Sequence, residues 1–296
     1  MVYLSKFRLA TPDEETDFIL SYPYQLEMQC YSHNNVYPFK LFPNKSLHEL
    51  CFEPITIFYG GNGSGKSTLL NIIAQKLQLQ SSVPFNNTPF MEEYLKFCRY
   101  EFAASVKRIP QSSAKITSDG VFDFLLDIRA INEGVERKRD ELFDEYYHLK
   151  ENPMKTLSSL SEFEDFKKQL EAKRSTKSAY TARRLPHELD GKSNGESAFV
   201  YFTDKIRDNA LYLLDEPENS LSAKLQTELV SFIEDSARFY NCQFIIATHS
   251  PFLLAMKHAK IYDLDSIPVT EKKWTELENV RVYYEFFKKH SDQFCQ

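Results

Sequence analysis

The chain has 296 residues, 42% of them apolar, and its 36 basic against 42 acidic side chains leave a formal charge of -6. That supplies a core for one large domain and disfavours a protein that coats nucleic acid with its whole surface, although a local basic groove is compatible with it. No apolar run approaches a membrane span, the start "MVYLSKFRLATPDEETD" lacks the basic end and apolar core of an export signal, and Cys30, Cys51, Cys98, Cys242 and Cys295 stand singly, so a cytoplasmic, reduced protein with no membrane contact is expected.

Within the first fifty residues, "YPYQLEMQCYSHNNVYPFKLF" suggests strands of a small antiparallel sheet beside the next motif. Then "EPITIFY" alternates Ile55, Ile57 and Tyr59 with Thr56 and Phe58, a strand pattern, and Leu69, Ile72, Ile73 and Leu77 recur at helical spacing. Between strand and helix lies "GGNGSGKST", with Gly60, Gly65, Lys66 and Ser67 fitting G-x-x-x-x-G-K-[ST]. Glycines let backbone N–H groups wrap a phosphate closely at the positive end of the helix. Gly60, Gly61, Asn62, Gly63, Ser64 and Gly65 would form the cradle. Lys66 would reach the β- and γ-phosphates, Ser67 would ligate magnesium, and Thr68 would lie on the α-phosphate side. The expected ligands are therefore ATP and Mg2+.

From about residue 127 to 190 the chain turns dense in charge and helix formers, which predicts an inserted helical lobe within a nucleotide-binding core of residues 1–126 and 191–296. Inside it, Lys173, Arg174, Lys177, Arg183 and Arg184 form a basic run that suits either a solvated helix face or contact with nucleic-acid phosphates.

Downstream, Leu211, Tyr212, Leu213 and Leu214 form an apolar run suited to a central parallel strand, ending in Asp215 and Glu216. Asp215 can hold the magnesium and Glu216 can orient the attacking water. The segment "SAKLQTELVSFIEDSARF" places Leu225, Leu229, Phe232, Ile233 and Ala237 on one helical face, with Ser222 as a cap. A second buried strand, Phe244 to Ala247, leads to Thr248, His249 and Ser250. The strand–helix–strand order brings both strand ends to one sheet edge, where His249 could contact a γ-phosphate. The stretch "WTELENVRVYYEFF" reads as one more helix.

The phosphate loop, "LLDEPENSL" and "ATHSP" together resemble the ABC-type ATPases, in type and order closer to the RecF and SMC-like branch than to transporters. The resemblance implies an α/β P-loop NTPase fold with a mainly parallel sheet flanked by helices, an N-terminal antiparallel subdomain and the helical lobe. It also implies ATP hydrolysis by Lys66, Glu216 and His249. In such families a signature segment caps the γ-phosphate held by the opposite subunit, and "GKSNGESAFVYF" is similar to it, with Ser193, Gly195 and Glu196 in the corresponding places. By itself that segment also fits a turn and a helix cap. Its S-x-G-E-S form departs from the Leu-Ser-Gly-Gly-Gln of transporters. The glutamine that links magnesium to water has Gln111 as its candidate, with Ser118 and Asp119 as rivals. Asn219 and Ser220 fall where family members sense the partner's nucleotide, and an aromatic of the first fifty residues would stack on adenine.

The expected protein is a homodimer across two ATP molecules. It would act with double-stranded DNA or a separate effector such as a nuclease, in DNA repair or anti-phage defence. The alternative is the motor subunit of an ABC transporter. A small-molecule kinase would not need "DEPENS" or "THSP". The lobe is too short for the long arms of SMC proteins, and no room is expected for the Toprim nuclease that the OLD family joins to a similar ATPase.

Overall fold

A computed structural model describes residues 1–21, 36–81, 83–85, 87–153, 163–184, 194–219 and 221–294. The chain divides into two compact units, one of residues 1–121 and 194–296 and the other of residues 122–193.

In the first unit, β1 (Leu4–Arg8), β2 (Glu49–Cys51) and a later strand, β5 (Arg99–Phe102), make an antiparallel sheet in the order β2-β1-β5. The antiparallel subdomain expected from the first fifty residues is thus present, with β1 and β2 at the two ends of that stretch and β5 added from later in the chain. The described part of the aromatic segment between them, residues 36–42, forms turns. Between β1 and β2 runs α1 (Pro12–Ser21), whose Glu15 accepts the backbone N–H of Lys40 at 2.6 Å and so fixes that turn.

The principal sheet has β3 (Ile55–Tyr59), β4 (Gln80–Ser81), β6 (Ala114–Thr117), β7 (Leu211–Asp215), β8 (Gln243–Thr248), β9 (Lys260–Asp263) and β10 (Thr270–Glu271), in the order β10-β9-β3-β8-β7-β6-β4. Only β10 runs antiparallel. Every residue of β3, β7 and β8 is buried, as strands covered on both faces by helices require. The two sheets share a core that includes Phe7, Phe58, Leu69, Ile72 and Ile73. Gln243, fully buried at the start of β8, accepts the N–H groups of Tyr3 and Leu4 at 2.7 and 2.9 Å and so ties β1 to the principal sheet.

Helices complete this unit. α2 (Lys66–Lys76) buries Leu69, Ile72 and Ile73 on the sheet, and α3 (Met91–Phe97) precedes β5. α7 (Asn194–Lys205) leads to β7. α8 (Ala223–Phe239) is capped by Ser222, whose hydroxyl accepts from the N–H of Leu225, and it buries Leu229 and Ile233. The one-turn α9 (Pro251–Leu254) follows β8, and α10 (Glu278–Lys289) follows β10.

A long helix, α4 (Ser118–Glu151), starts in the first unit and runs into the second, which also holds α5 (Phe163–Arg174) and α6 (Lys177–Ala182). The second unit packs around Leu142, Tyr146, Ala172 and Tyr180. Its basic run is partly committed internally. Arg183 and Arg184 both pair with Glu171, at 2.9 and 2.6 Å, and Lys177 sits 4.2 Å from the centre of the Phe143 ring. Cys98 and Cys242 are buried free thiols and Cys51 is a partly buried one; Cys30 and Cys295 lie outside the described residues.

Candidate functional site

Parallel strands deliver whatever follows them to one edge of a sheet, and ligands bind there. Adjacent strands β3, β8, β7 and β6 are in register so that Tyr59 faces Thr248, Ala247 faces Asp215, and Asp215 faces Thr117. The residues following these four ends therefore converge.

After β3 the chain bends through Gly60–Gly65. A Cβ on Gly60 would stand 2.5 Å from Ser64 Oγ, and Gly63 and Gly65 take φ of 79° and 98°, a region that favours glycine. Gly65 caps α2, so the first free N–H groups of that helix point into the loop. Lys66, 4% exposed, donates to the carbonyls of Gly60 and Gly61 at 2.7 and 3.0 Å. Ser64 Oγ is buried with no hydrogen-bond partner among the described residues. The cavity over this loop, about 360 Å3, is also lined by Tyr37 and Glu216. Tyr37 donates its hydroxyl to Thr68 Oγ1 at 2.8 Å and lines the cavity, while the buried Phe42 ring packs beside Gly65.

On the other side of Ser67 a polar cavity of about 390 Å3 is lined by Lys115, Thr117, Ser118, Asp119, Asp215 and Glu216 among others. Ser67 Oγ donates to Asp215 Oδ1 at 2.8 Å, joining hydroxyl and carboxylate from two separate motifs. These hard oxygens suit magnesium, which binds through one or two protein oxygens plus substrate phosphates. Among the described residues no three His, Cys, Asp or Glu side chains gather as a metal-binding group. The buried ammonium of Lys115 lies 3.5 Å from Asp215 Oδ2 and donates to Asn71 Oδ1. Burial pushes the Asp215 carboxyl up from its ordinary range and Lys115 opposes that, while burial pushes Lys115 down.

Glu216 has φ of 47°, the left-handed region, a strain that turns its side chain out of the strand line. Its N–H donates to Ala247 O at 2.9 Å, and its carboxylate stands 3.8 Å from Lys66 Nζ, 3.9 Å from His249 Nδ1 and 3.2 Å from Asn219 Nδ2. Glu218, 6% exposed, accepts the hydroxyl of Thr248 at 2.7 Å and the N–H of His249 at 3.0 Å, and lies 3.3 Å from His249 Nδ1. Its other oxygen, Oε2, has no partner among the described residues. Asn279 Nδ2, at the start of α10, donates to His249 O at 2.9 Å.

Lys66, Ser67, Asp215, Glu216 and His249 are thus brought together. Gln111 is not. It lies exposed in the turn ahead of β6, at the opposite end of that strand from Thr117. Ser118 and Asp119, which follow β6, line the metal-side cavity instead, and Ser118 Oγ accepts from Asn219 at 3.4 Å. Gly195 and Glu196 occupy the first turn of α7 and line neither cavity; Ser193 and Ser220 lie outside the described residues. Sequence reasoning missed Lys115 and Glu218. A lysine inside the strand "AKIT" and an acid two residues past Glu216 were the available signals.

Residues 127–255 match the family model "AAA domain, putative AbiEii toxin, Type IV TA system". Among curated proteins no match is found. Solved structures that the chain resembles include the Smc head domain of Pyrococcus furiosus, with an extended coiled coil and bound to the C-terminal domain of ScpA. It is 15% identical over 97% of this chain and 100% of that one, with a TM-score of 0.42. The SMC head domain of Thermotoga maritima is 14% identical over 92% and 99%, with a TM-score of 0.40. Loop, acidic strand end and sheet order make the first unit a mixed α/β, P-loop NTPase fold, with the phosphate loop at the edge of a mainly parallel sheet.

Proposed function

We propose that the protein is an ABC-type ATPase that binds and hydrolyses ATP with Mg2+. The carrying observation is the 2.8 Å bond from Ser67 to Asp215, which puts the phosphate loop and the acidic strand end at one point, with Glu216 3.8 Å from Lys66. The loop N–H groups and Lys66 would receive the β- and γ-phosphates, and the Lys66 ammonium would leave the loop carbonyls for them. Magnesium, held by Ser67 and Asp215, would neutralise the charge of those phosphates. Glu216 would orient the attacking water and accept its proton. His249 would contact the γ-phosphate, and Tyr37 is the candidate to stack on adenine.

The reading continues to an ATP-dependent head-to-tail dimer, in which the segment around Ser193, Gly195 and Glu196 of one copy completes the site of the other. Asn219 would lie at that contact. Gly195 and Glu196 line neither cavity of their own chain, which is compatible with such a composite site. DNA or a separate effector would be the input, in DNA repair or anti-phage defence. The toxin–antitoxin description of the matched model accords with defence. The test is the mass of wild-type and Glu216→Gln protein with ATP and magnesium, with and without double-stranded DNA. A dimer that accumulates in Glu216→Gln, and DNA-stimulated hydrolysis in the wild type, are expected. A variant that stays monomeric at saturating ATP overturns the composite site.

A further inference from the structure

Strand β6 buries a lysine beside apolar neighbours. Lys115 is 5% exposed, and the residue level with it on β7 is Leu213. An ammonium taken out of water is costly unless it is paired and hydrogen-bonded. Lys115 meets both needs at one point, where its Nζ donates to Asn71 Oδ1 on α2 and lies 3.5 Å from Asp215 Oδ2.

The other oxygen of the same carboxylate gives this pairing a second consequence. Asp215 Oδ1 accepts the Ser67 hydroxyl at 2.8 Å, so it is turned to the phosphate loop while Oδ2 is held by a fixed cation. Magnesium demands near-ideal octahedral geometry and takes one or two carboxylates beside its waters and phosphates. A carboxylate whose second oxygen is already engaged offers such an ion a single oxygen in a set direction. The charges of the cavity point the same way. Its lining carries three carboxylates, those of Asp119, Asp215 and Glu216, and one ammonium, that of Lys115. Without the lysine, that lining would attract a divalent cation by itself. With it, two positive charges would share one carboxylate, and the negative phosphates of a nucleotide are needed to offset their repulsion.

We propose that Lys115 is a positioning residue for the metal: anchored on Asn71, it holds Asp215 so that one carboxylate oxygen faces Ser67, and it keeps divalent cations out until the phosphates of ATP arrive. This role rests on the ATPase reading above and adds to it an order of events, in which the metal enters with or after the nucleotide and never before it.

Manganese(II), which stands in for magnesium and whose free ion is counted by electron paramagnetic resonance, is the probe. Without nucleotide the wild type should bind it no more tightly than about 1 mM, and Lys115→Met, of similar length but uncharged, should bind it at least tenfold more tightly. Lys115→Arg, which keeps the charge, should exclude it as the wild type does. The affinity for ATP in the presence of chelator should stay within about threefold in both variants, because Lys115 faces the metal side and not the loop, whereas hydrolysis at saturating ATP and Mg2+ should fall about tenfold in Lys115→Met. Asn71→Leu removes the anchor and keeps the charge, so it should still exclude Mn2+ yet hydrolyse several-fold more slowly.

A wild type that holds Mn2+ near 10 µM without nucleotide overturns the proposal with no variant needed. Unchanged Mn2+ binding in a Lys115→Met protein with the wild-type circular dichroism spectrum also overturns it and reduces the pair to packing. If Lys115→Met does not fold, Asn71→Leu still decides: hydrolysis at the wild-type rate refutes the anchoring. A wild type that binds no ATP, with or without Mn2+, overturns the ATPase reading and this role with it, whereas normal ATP binding beside an indifferent Lys115→Met overturns the role alone.

Discussion

Replacing Glu218 by alanine removes the acceptor on which the end of β8 depends. Two donors, the Thr248 hydroxyl at 2.7 Å and the His249 N–H at 3.0 Å, converge on Oε1 in a position where Glu218 is 6% and Thr248 0% exposed. Hydrogen bonds to a charged acceptor contribute about 1.5–3 kcal/mol each, and the stranded donors find little water. We expect Glu218→Ala to cost about 3–5 kcal/mol. For a unit of this size that lowers Tm by roughly 2–4 °C per kcal/mol, so by about 6–20 °C. Glu218→Gln keeps one acceptor oxygen and sets an amide N–H where Oε2 has no partner, which costs about 1–2 kcal/mol.

The functional consequence differs from the stability one. His249 loses the contact that holds Nδ1 at 3.3 Å, and a displacement of about 1 Å at a reacting centre can cost 100-fold in rate. Calorimetric melts with and without ATP, together with steady-state hydrolysis, separate the two. Hydrolysis should fall about 10–100-fold in Glu218→Ala with ATP affinity within a few-fold. A melt within 2 °C of the wild type, or equal damage from Gln and Ala, would show that Glu218 does not hold this strand end as argued.

Glu216→Gln should retain ATP binding and lose about 100- to 10,000-fold in hydrolysis, measured as phosphate release. Gly60→Ala brings a methyl within 2.5 Å of Ser64 Oγ; a cost of about 1–3 kcal/mol and loss of nucleotide binding by fluorescence titration are expected, whereas near-normal binding would contradict the tight loop. Chelating divalent cations should abolish hydrolysis while ATP binding survives weakened, because Ser67 and Asp215 need the nucleotide to complete a metal site. Burial raises Glu15 to about 7 from an ordinary 4.5, so its protonated form stabilises the fold below about pH 4.5 and that contribution is lost as pH rises to about 7. Chemical denaturation of wild type and Glu15→Gln across that window should diverge by up to about 3 kcal/mol, the wild type losing ground with rising pH.

The parts of the site legible in the sequence share one property: each follows directly from a buried apolar run. β3, β7 and β8 are continuous hydrophobic stretches, so the glycines, Asp215, Glu216 and His249 had to lie at strand ends, and parallel order put those ends on one edge. β6 lacks that signal. Its four residues are Ala114, Lys115, Ile116 and Thr117, and with a lysine in place of an apolar residue the stretch does not read as a central strand. The apolar residues that precede it, Val106 and Ile109, lie before Gln111, which made Gln111 look as if it followed a strand when it precedes one. A strand misplaced by a few residues reverses which end its neighbours occupy.

Lys115 itself explains why the strand can carry a charge there. It is paired to Asp215 on the adjacent strand and to Asn71 on α2, contacts set by register across three elements distant in sequence. No local pattern encodes such a partner. The same reasoning applies to Glu218, which reads as part of a polar turn until β8 supplies Thr248 and His249 to it. Charges that neutralise or hold one another across strands are therefore where sequence reading should be expected to fail, and both such residues here lie within one contact of the groups proposed to act on the nucleotide.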